Sequence, residues 1–216
     1  MMGRMRCPVA IVNTSAESLT LTAETYGSTQ DNFLYGVSCK STSFCMASGE
    51  YSNGTNDQTL IEKWNGRAWS LVGSLSSSST QDNNLSAMSC VSTSYCMATG
   101  RYNNGTNLQT LTEKWSGAVG AWSAPPTRAA QINFLDGVSC VSKNFCMAAG
   151  NYSNGSNDQT LIEKWNGSTW NLVTSPNTNS TQDNHLFGVN CVSTSFCMAS
   201  GYYFNDTNLQ TLIEKW

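Results

Sequence analysis

The segment from Leu34 to Gly66, LYGVSCKSTSFCMASGEYSNGTNDQTLIEKWNG, returns from Leu135 with only 7 of its 33 positions changed. Related copies begin near Leu85 and Leu186, and the first cysteine of each copy falls at Cys39, Cys90, Cys140 and Cys191, at spacings of 51, 50 and 51. A chain with so long a period is assembled from supersecondary units that stack, because no unit can bury its apolar face alone. Stacked helices would need apolar residues near every 3.6 positions, and that spacing is absent. Short β-rich runs alternate with turn clusters instead. Leu34 to Cys39 predicts strand A, Phe44 to Tyr51 strand B, Gln58 to Trp64 strand C and Ala68 to Val72 strand D, with SNGTND and Asn65-Gly66 as turns. Four strands in about 50 residues is the unit of a propeller blade, so the expected fold is all-β, a β-propeller of four four-stranded blades.

The last copy stops at Trp216, the counterpart of Trp64, before a strand D. Ser28 to Asn32 matches Ser79 to Asn83 at an offset of 51, which sets Ser18 to Leu21 opposite Trp69 to Val72. The expectation is a single domain over 14–216 whose N-terminal strand completes the last blade and closes the ring. Residues 1–13 form an N-terminal lead. Within it Pro8 to Asn13 aligns faintly with Thr59 to Trp64, which leaves open a piece of a longer array or a paired eight-blade assembly, as monomer or dimer. Copies one and three carry Asp57 and Asp158 where copies two and four carry Leu108 and Leu209, the trace of a duplicated two-blade unit.

Eight of the nine cysteines fall in Cys-x5-Cys pairs: Cys39 with Cys45, Cys90 with Cys96, Cys140 with Cys146 and Cys191 with Cys197. Each pair brackets the turn between strands A and B, where a hairpin sets the two residues face to face at disulfide distance. Four bridges imply an oxidising compartment and a secreted or cell-surface protein, although no export signal is visible. Buried thiols or metal ligands are the alternatives, the latter disfavoured by the spacing and by the presence of one His only. Cys7 is left over.

Eleven Lys and Arg against 14 Asp and Glu, net charge -3 and no basic stripe, exclude a phosphate-tracking nucleic-acid binder. No apolar run is long enough to span a membrane. Charged residues are only 12% of the chain, and eight of them belong to the Glu-Lys-Trp triplets ending at Trp64, Trp115, Trp165 and Trp216. Paired carboxylates do acid-base work when their environments differ, but here every copy carries the same triplet, so a structural role in strand C is expected, with the Trp as packing surface. Gly36, Ala87, Gly137 and Gly188 mark the innermost strand, where neighbouring backbones crowd.

The D-to-A connections and B-to-C loops of a propeller emerge on one face. That rim brings together Asp31, Asn32, Tyr51, Asn53 and Asp57 of the first copy with Asp82, Asn83, Tyr102 and Asn104 of the second. It also carries Tyr152, Asn154 and Asp158 of the third and Asp183, Asn184, Tyr203 and Asn205 of the fourth. Amides and carboxylates beside aromatic rings suit sugar hydroxyls and the apolar face of a sugar, which makes these the candidate ligand-binding residues. The same residues also serve Asx turns for backbone reasons alone. Asp57 and Asp158 with nearby carbonyls are candidates for Ca²⁺; no other cofactor is indicated. Glu50, Arg101, Asp136 and His185 break the symmetry of the copies, and any single active site would be drawn from them. No nucleophile elbow, phosphate loop or zinc-hydrolase motif occurs.

The phrase GVSC-V-S-x-x-F-C-M-A-x-G followed by QTLIEKWNG-x-x-W resembles repeats of secreted bacterial β-propeller proteins, particularly actinobacterial ones, and is loosely similar to sialidase-type and photosystem-assembly propeller repeats. The sialidase Ser-x-Asp-x-Gly-x-Thr-Trp box is absent, as are the Gly-His and Trp-Asp signals of WD40 blades. The resemblance implies the fold and export, and no catalytic residue. The functional expectation is an extracellular, non-catalytic, lectin-like module that binds a glycan or surface polymer through the repeated loops. A protein-interaction scaffold is the alternative, and a propeller-based glycoside hydrolase or lyase the second alternative.

Overall fold

The computed structural model describes residues 30–117 and 132–216. These residues form fourteen strands in four antiparallel sheets, one per copy. The first sheet runs β1 (Asn32–Ser41), β2 (Phe44–Ser52), β3 (Asp57–Trp64), β4 (Trp69–Val72) in sequence order, as strands A to D. The second contains β5 (Asn83–Ser92), β6 (Tyr95–Asn103) and β7 (Leu108–Trp115). The third contains β8 (Asn133–Ser142), β9 (Phe145–Ser153), β10 (Asp158–Trp165) and β11 (Trp170–Val173), and the fourth β12 (Asn184–Ser193), β13 (Phe196–Phe204) and β14 (Leu209–Lys215). The sheets pack on one another as propeller-like blades. The expected closing strand at Ser18 to Leu21 and the faint strand at Pro8 to Asn13 lie outside the described residues, and among the described residues the ring is not closed.

Each A–B hairpin turns on two residues, Thr42 and Ser43 in the first blade, and aligns Cys39 with Cys45 across the strands. All four expected disulfides are present, with Cα atoms 3.9 to 4.0 Å apart. They mark an oxidising, extracytoplasmic environment. Among the described residues no helix is long and apolar enough to cross a membrane. At the other end of the hairpin the ladder slips between Leu34 and Gly36, a β-bulge at Tyr35 that recurs at Ser86, Asp136 and Phe187. The bulge explains an invariant glycine. A Cβ built on Gly49, Gly100, Gly150 or Gly201 would stand 1.8 to 2.0 Å from the carbonyl oxygen of the strand opposite.

The cores lie between blades. Phe44, Met46 and Ile61 of the first blade meet Leu85, Met88, Ala98, Leu111 and Trp115 of the second. Met97 meets Leu135, Val138, Ala148, Leu161 and Trp165, and Phe145, Met147 and Ile162 meet Leu186, Cys197 and Ala199. Innermost strands pack in succession, β1 on β5, β5 on β8 and β8 on β12. The crowding expected there is present: a Cβ on Gly36 would lie 2.8 Å from the Cα of Ala87, and one on Gly137 2.9 Å from that of Gly188. At the same seam Ser38, Ser89 and Ser139 hydroxyls accept from the amides of Cys90, Cys140 and Cys191 at 2.9 to 3.0 Å.

Thiol titration in denaturant therefore yields one reactive thiol per chain, from Cys7, and eight more after reduction; a count near nine before reduction contradicts the bridges. By loop entropy, removing any one bridge as a Cys-to-Ser pair lowers the unfolding free energy by about 2 kcal/mol.

Candidate functional site

The Glu-Lys-Trp triplet is an inter-blade tie. Glu113 is fully buried and accepts from the Ser74 hydroxyl at 2.9 Å and the Leu75 amide at 3.4 Å, both on the connector leaving the first blade. Glu214 accepts from Ser175 in the same way. The Lys63 ammonium stands 5.9 Å from the Trp115 ring of the next blade, and that of Lys114 5.5 Å from Trp165. Trp64, Trp115 and Trp165 donate their indole N–H to the A–B turn carbonyls of Thr42, Thr93 and Lys143. The carboxylate–hydroxyl and ammonium–ring contacts thus reach from blade to blade, while the indole N–H bonds tie strand C to the hairpin turn of its own blade.

Burial pushes the Glu113 carboxyl up to about 7, against the opposing hydrogen bonds from Ser74 and Leu75. A carboxyl that holds its proton more tightly folded than unfolded contributes most below the unfolded value of 4.5, and this contribution is lost as pH rises toward 7. Urea unfolding at pH 5 and pH 8 checks this: Glu113→Gln removes on the order of 2 to 3 kcal/mol of the wild-type preference for the lower pH. An unchanged pH profile contradicts the assignment.

The structure brings the rim loops together as the repeat pattern implies, and most of their polar side chains are engaged there. Asp82 Oδ1 accepts from the Asn56 side chain at 3.0 Å and the Asp57 amide at 3.1 Å, and Asp183 repeats this with Asn157 and Asp158. The Asn53 and Asn154 carbonyls cap their own turns, while their NH₂ groups reach the Ser79 and Ser180 carbonyls at 2.9 Å. Asn104 and Asn205 cap the corresponding turns. Asn83 and Asn184 are buried, and each is bonded through both side-chain atoms to its own connector. Asn32 donates to the Gln30 carbonyl, and the exposed Asp31 receives the Ser52 amide on its own carbonyl. Tyr51, Tyr102, Tyr152 and Tyr203 are half-buried, with Tyr102 and Tyr152 packed against blade cores. No cluster of three or more His, Cys, Asp or Glu side chains able to hold a metal occurs among the described residues.

A second arrangement emerges at the bulges. Across the frame from Gln30 to Trp64, only two positions carry a different residue in all four copies: Tyr35, Ser86, Asp136, Phe187 and Glu50, Arg101, Asn151, Tyr202. The ladder sets them side by side, because Phe33 faces Glu50 and the bulged Tyr35 follows two residues later, past Leu34 opposite Gly49. Tyr35 donates to Glu50 at 2.7 Å, and Asn84 of the next blade donates to the other Glu50 oxygen at 2.7 Å. The Arg101 guanidinium lies 5.1 Å over the Phe134 ring of the third blade. His185 pairs with Asp158 at 3.0 Å and stacks on Tyr202 at 4.7 Å, with Phe187 5.5 Å from Tyr202. His185 and Asp136 are therefore not isolated: they belong to a ridge that crosses all four blades.

The ridge is electrostatically tight. Burial, the Glu50 hydrogen bond and the charges of Glu50 and Asp57 push the Tyr35 hydroxyl up to about 12. Burial raises the Asp57 carboxyl, helped by Glu50, Asp82 and Asp31. It also raises Asp136, which Arg101 and His185 pull the other way. Glu50, Arg101, Asp136 and His185 stand out in sequence as symmetry-breaking positions, whereas Tyr35 and Phe187 do not until the copies are compared column by column.

No protein family and no curated protein matches the chain. A solved structure described as YCF48 bound to D1 peptide is similar at 12% identity and a TM-score of 0.46, over 91% of this chain and 56% of that one. The chain thus spans little more than half the length of that protein.

Proposed function

We propose that the chain is a secreted or cell-surface, non-catalytic recognition module of propeller type, and that it binds a polypeptide segment along the bulge ridge. One observation carries this reading: the two positions that differ in every copy are neighbours in space and are linked to the next blade through Asn84, Phe134 and the His185–Asp158 pair, while the repeated rim residues hold the loops in place. A ligand with a repeating structure, such as a polysaccharide, calls for the same groups on every blade. A surface that presents Tyr35 with Glu50, then Arg101, then Asp136, then His185 with Tyr202 suits a ligand whose chemistry changes along its length. Exposed aromatic rings and Arg are also the groups that anchor protein interfaces. The surface carries four carboxylates, Glu50, Asp57, Asp136 and Asp158, against one guanidinium and one imidazole, which favours segments with basic side chains.

Selection from a displayed library of short random peptides, alongside a polysaccharide array, tests the proposal. Peptides enriched in Lys or Arg are expected, with affinity falling about tenfold or more in Tyr35→Ala, Asp136→Asn or Tyr202→Ala, since these side chains span the surface from the first blade to the fourth. Binding to glycans alone, lost in Tyr51→Ala or Asn53→Ala and untouched by the ridge variants, restores the lectin reading and overturns this one.

A further inference from the structure

The two terminal blades expose the halves of the joint that is closed three times inside the chain. On the forward side of the fourth blade Phe196, Met198 and Ile213 are 40%, 38% and 66% exposed, whereas their counterparts Phe44, Met46 and Ile61 are at most 4%. Gly188, whose equivalents Gly36 and Gly137 touch the next inner strand, has among the described residues only the Ser200 hydroxyl near its Cβ direction, at 3.9 Å. On the back side of the first blade Leu34 and Val37 are 48% and 63% exposed, where Leu85, Leu135 and Leu186 are fully buried. Ala47 and Leu60 on that side are already covered, so the open part is the inner strand. Inside the chain, the inner strand of one blade enters the groove formed by the Phe, Met and Ile of the blade before it. We infer that a second copy of this chain supplies the missing half: the inner strand of its first blade, with Leu34 and Val37, docks on Phe196, Met198 and Ile213. Asn190 stands where Ser38, Ser89 and Ser139 accept the amide of the next blade, and its carbonyl oxygen can receive the Cys39 amide of the partner copy. Such a contact is heterologous, and two copies joined at both ends make a closed ring with two identical joints. The contact removes the exposed apolar faces at both ends, as ring closure within one chain was expected to do.

Light scattering at micromolar concentration, with two end-blocked variants, tests the inference. The wild type is expected at twice 23.4 kDa. Met198→Glu with Ile213→Glu blocks the forward face, and Leu34→Glu with Val37→Glu blocks the inner strand of the back face. All four positions are exposed, so each variant keeps the wild-type far-ultraviolet circular dichroism. Each alone runs at the mass of one chain, and an equimolar mixture recovers the two-chain mass, because one open face of each kind remains. A wild type that stays at the mass of one chain overturns the inference, as does a two-chain mass that survives either block.

Discussion

The structure depends on the face-to-face joint between successive blades. No blade has a core of its own: a three- or four-stranded sheet has two faces, and the internal faces are covered where a neighbour supplies the complementary set. One side offers a groove of Phe, Met and Ile, and the other inserts Leu with a second aliphatic residue from its inner strand. Polar ties run along the same seam, with Ser hydroxyls on Cys amides near the hairpin turns and Ser74 on Glu113 near the connectors. A hydrogen-bonded, protonated carboxyl in an apolar joint is tolerable where a lone charge would not be. The bridges from Cys39 to Cys45 and its equivalents stiffen each hairpin, while the joint determines how hairpins stack.

Much of this is legible in the amino-acid sequence. The period, the strand boundaries to within about two residues, the four cysteine pairs and the small residues of the inner strand all follow from repetition, because what recurs in every copy serves the joint or the turns. The Glu-Lys-Trp triplet could be assigned to structure by its sameness, but its partners could not. Ser74 is 39 residues from Glu113 and belongs to a different blade. Asn53 and Asp82 meet the neighbouring connector and turn, and sequence alone does not say whether such side chains point to solvent or close a loop. Hydrogen-bond direction is a property of packing, and Asx chemistry looks identical in both cases.

The ridge was half legible for the opposite reason. Glu50, Arg101, Asp136 and His185 stand out because they break the repeat, but their contiguity rests on a backbone irregularity. An extra residue opposite an invariant glycine turns Tyr35, Ser86, Asp136 and Phe187 out of the alternating pattern. Periodicity presumes regular strands, so it cannot place a bulged side chain. The result is a division of labour: recurrent positions build the joint and variable ones decorate a single surface, which is how repeat scaffolds carry recognition without losing stability.

The central claim, that blade-to-blade joints hold this chain together, is tested most directly by denaturant unfolding of Leu85→Ala, Leu135→Ala and Leu186→Ala. These leucines occupy the same place in three joints and are fully buried. Each substitution is expected to cost about 2 to 5 kcal/mol, the range for emptying a well-packed apolar site. Losses below about 1 kcal/mol at all three would mean that the blades stand without their neighbours, and would contradict it.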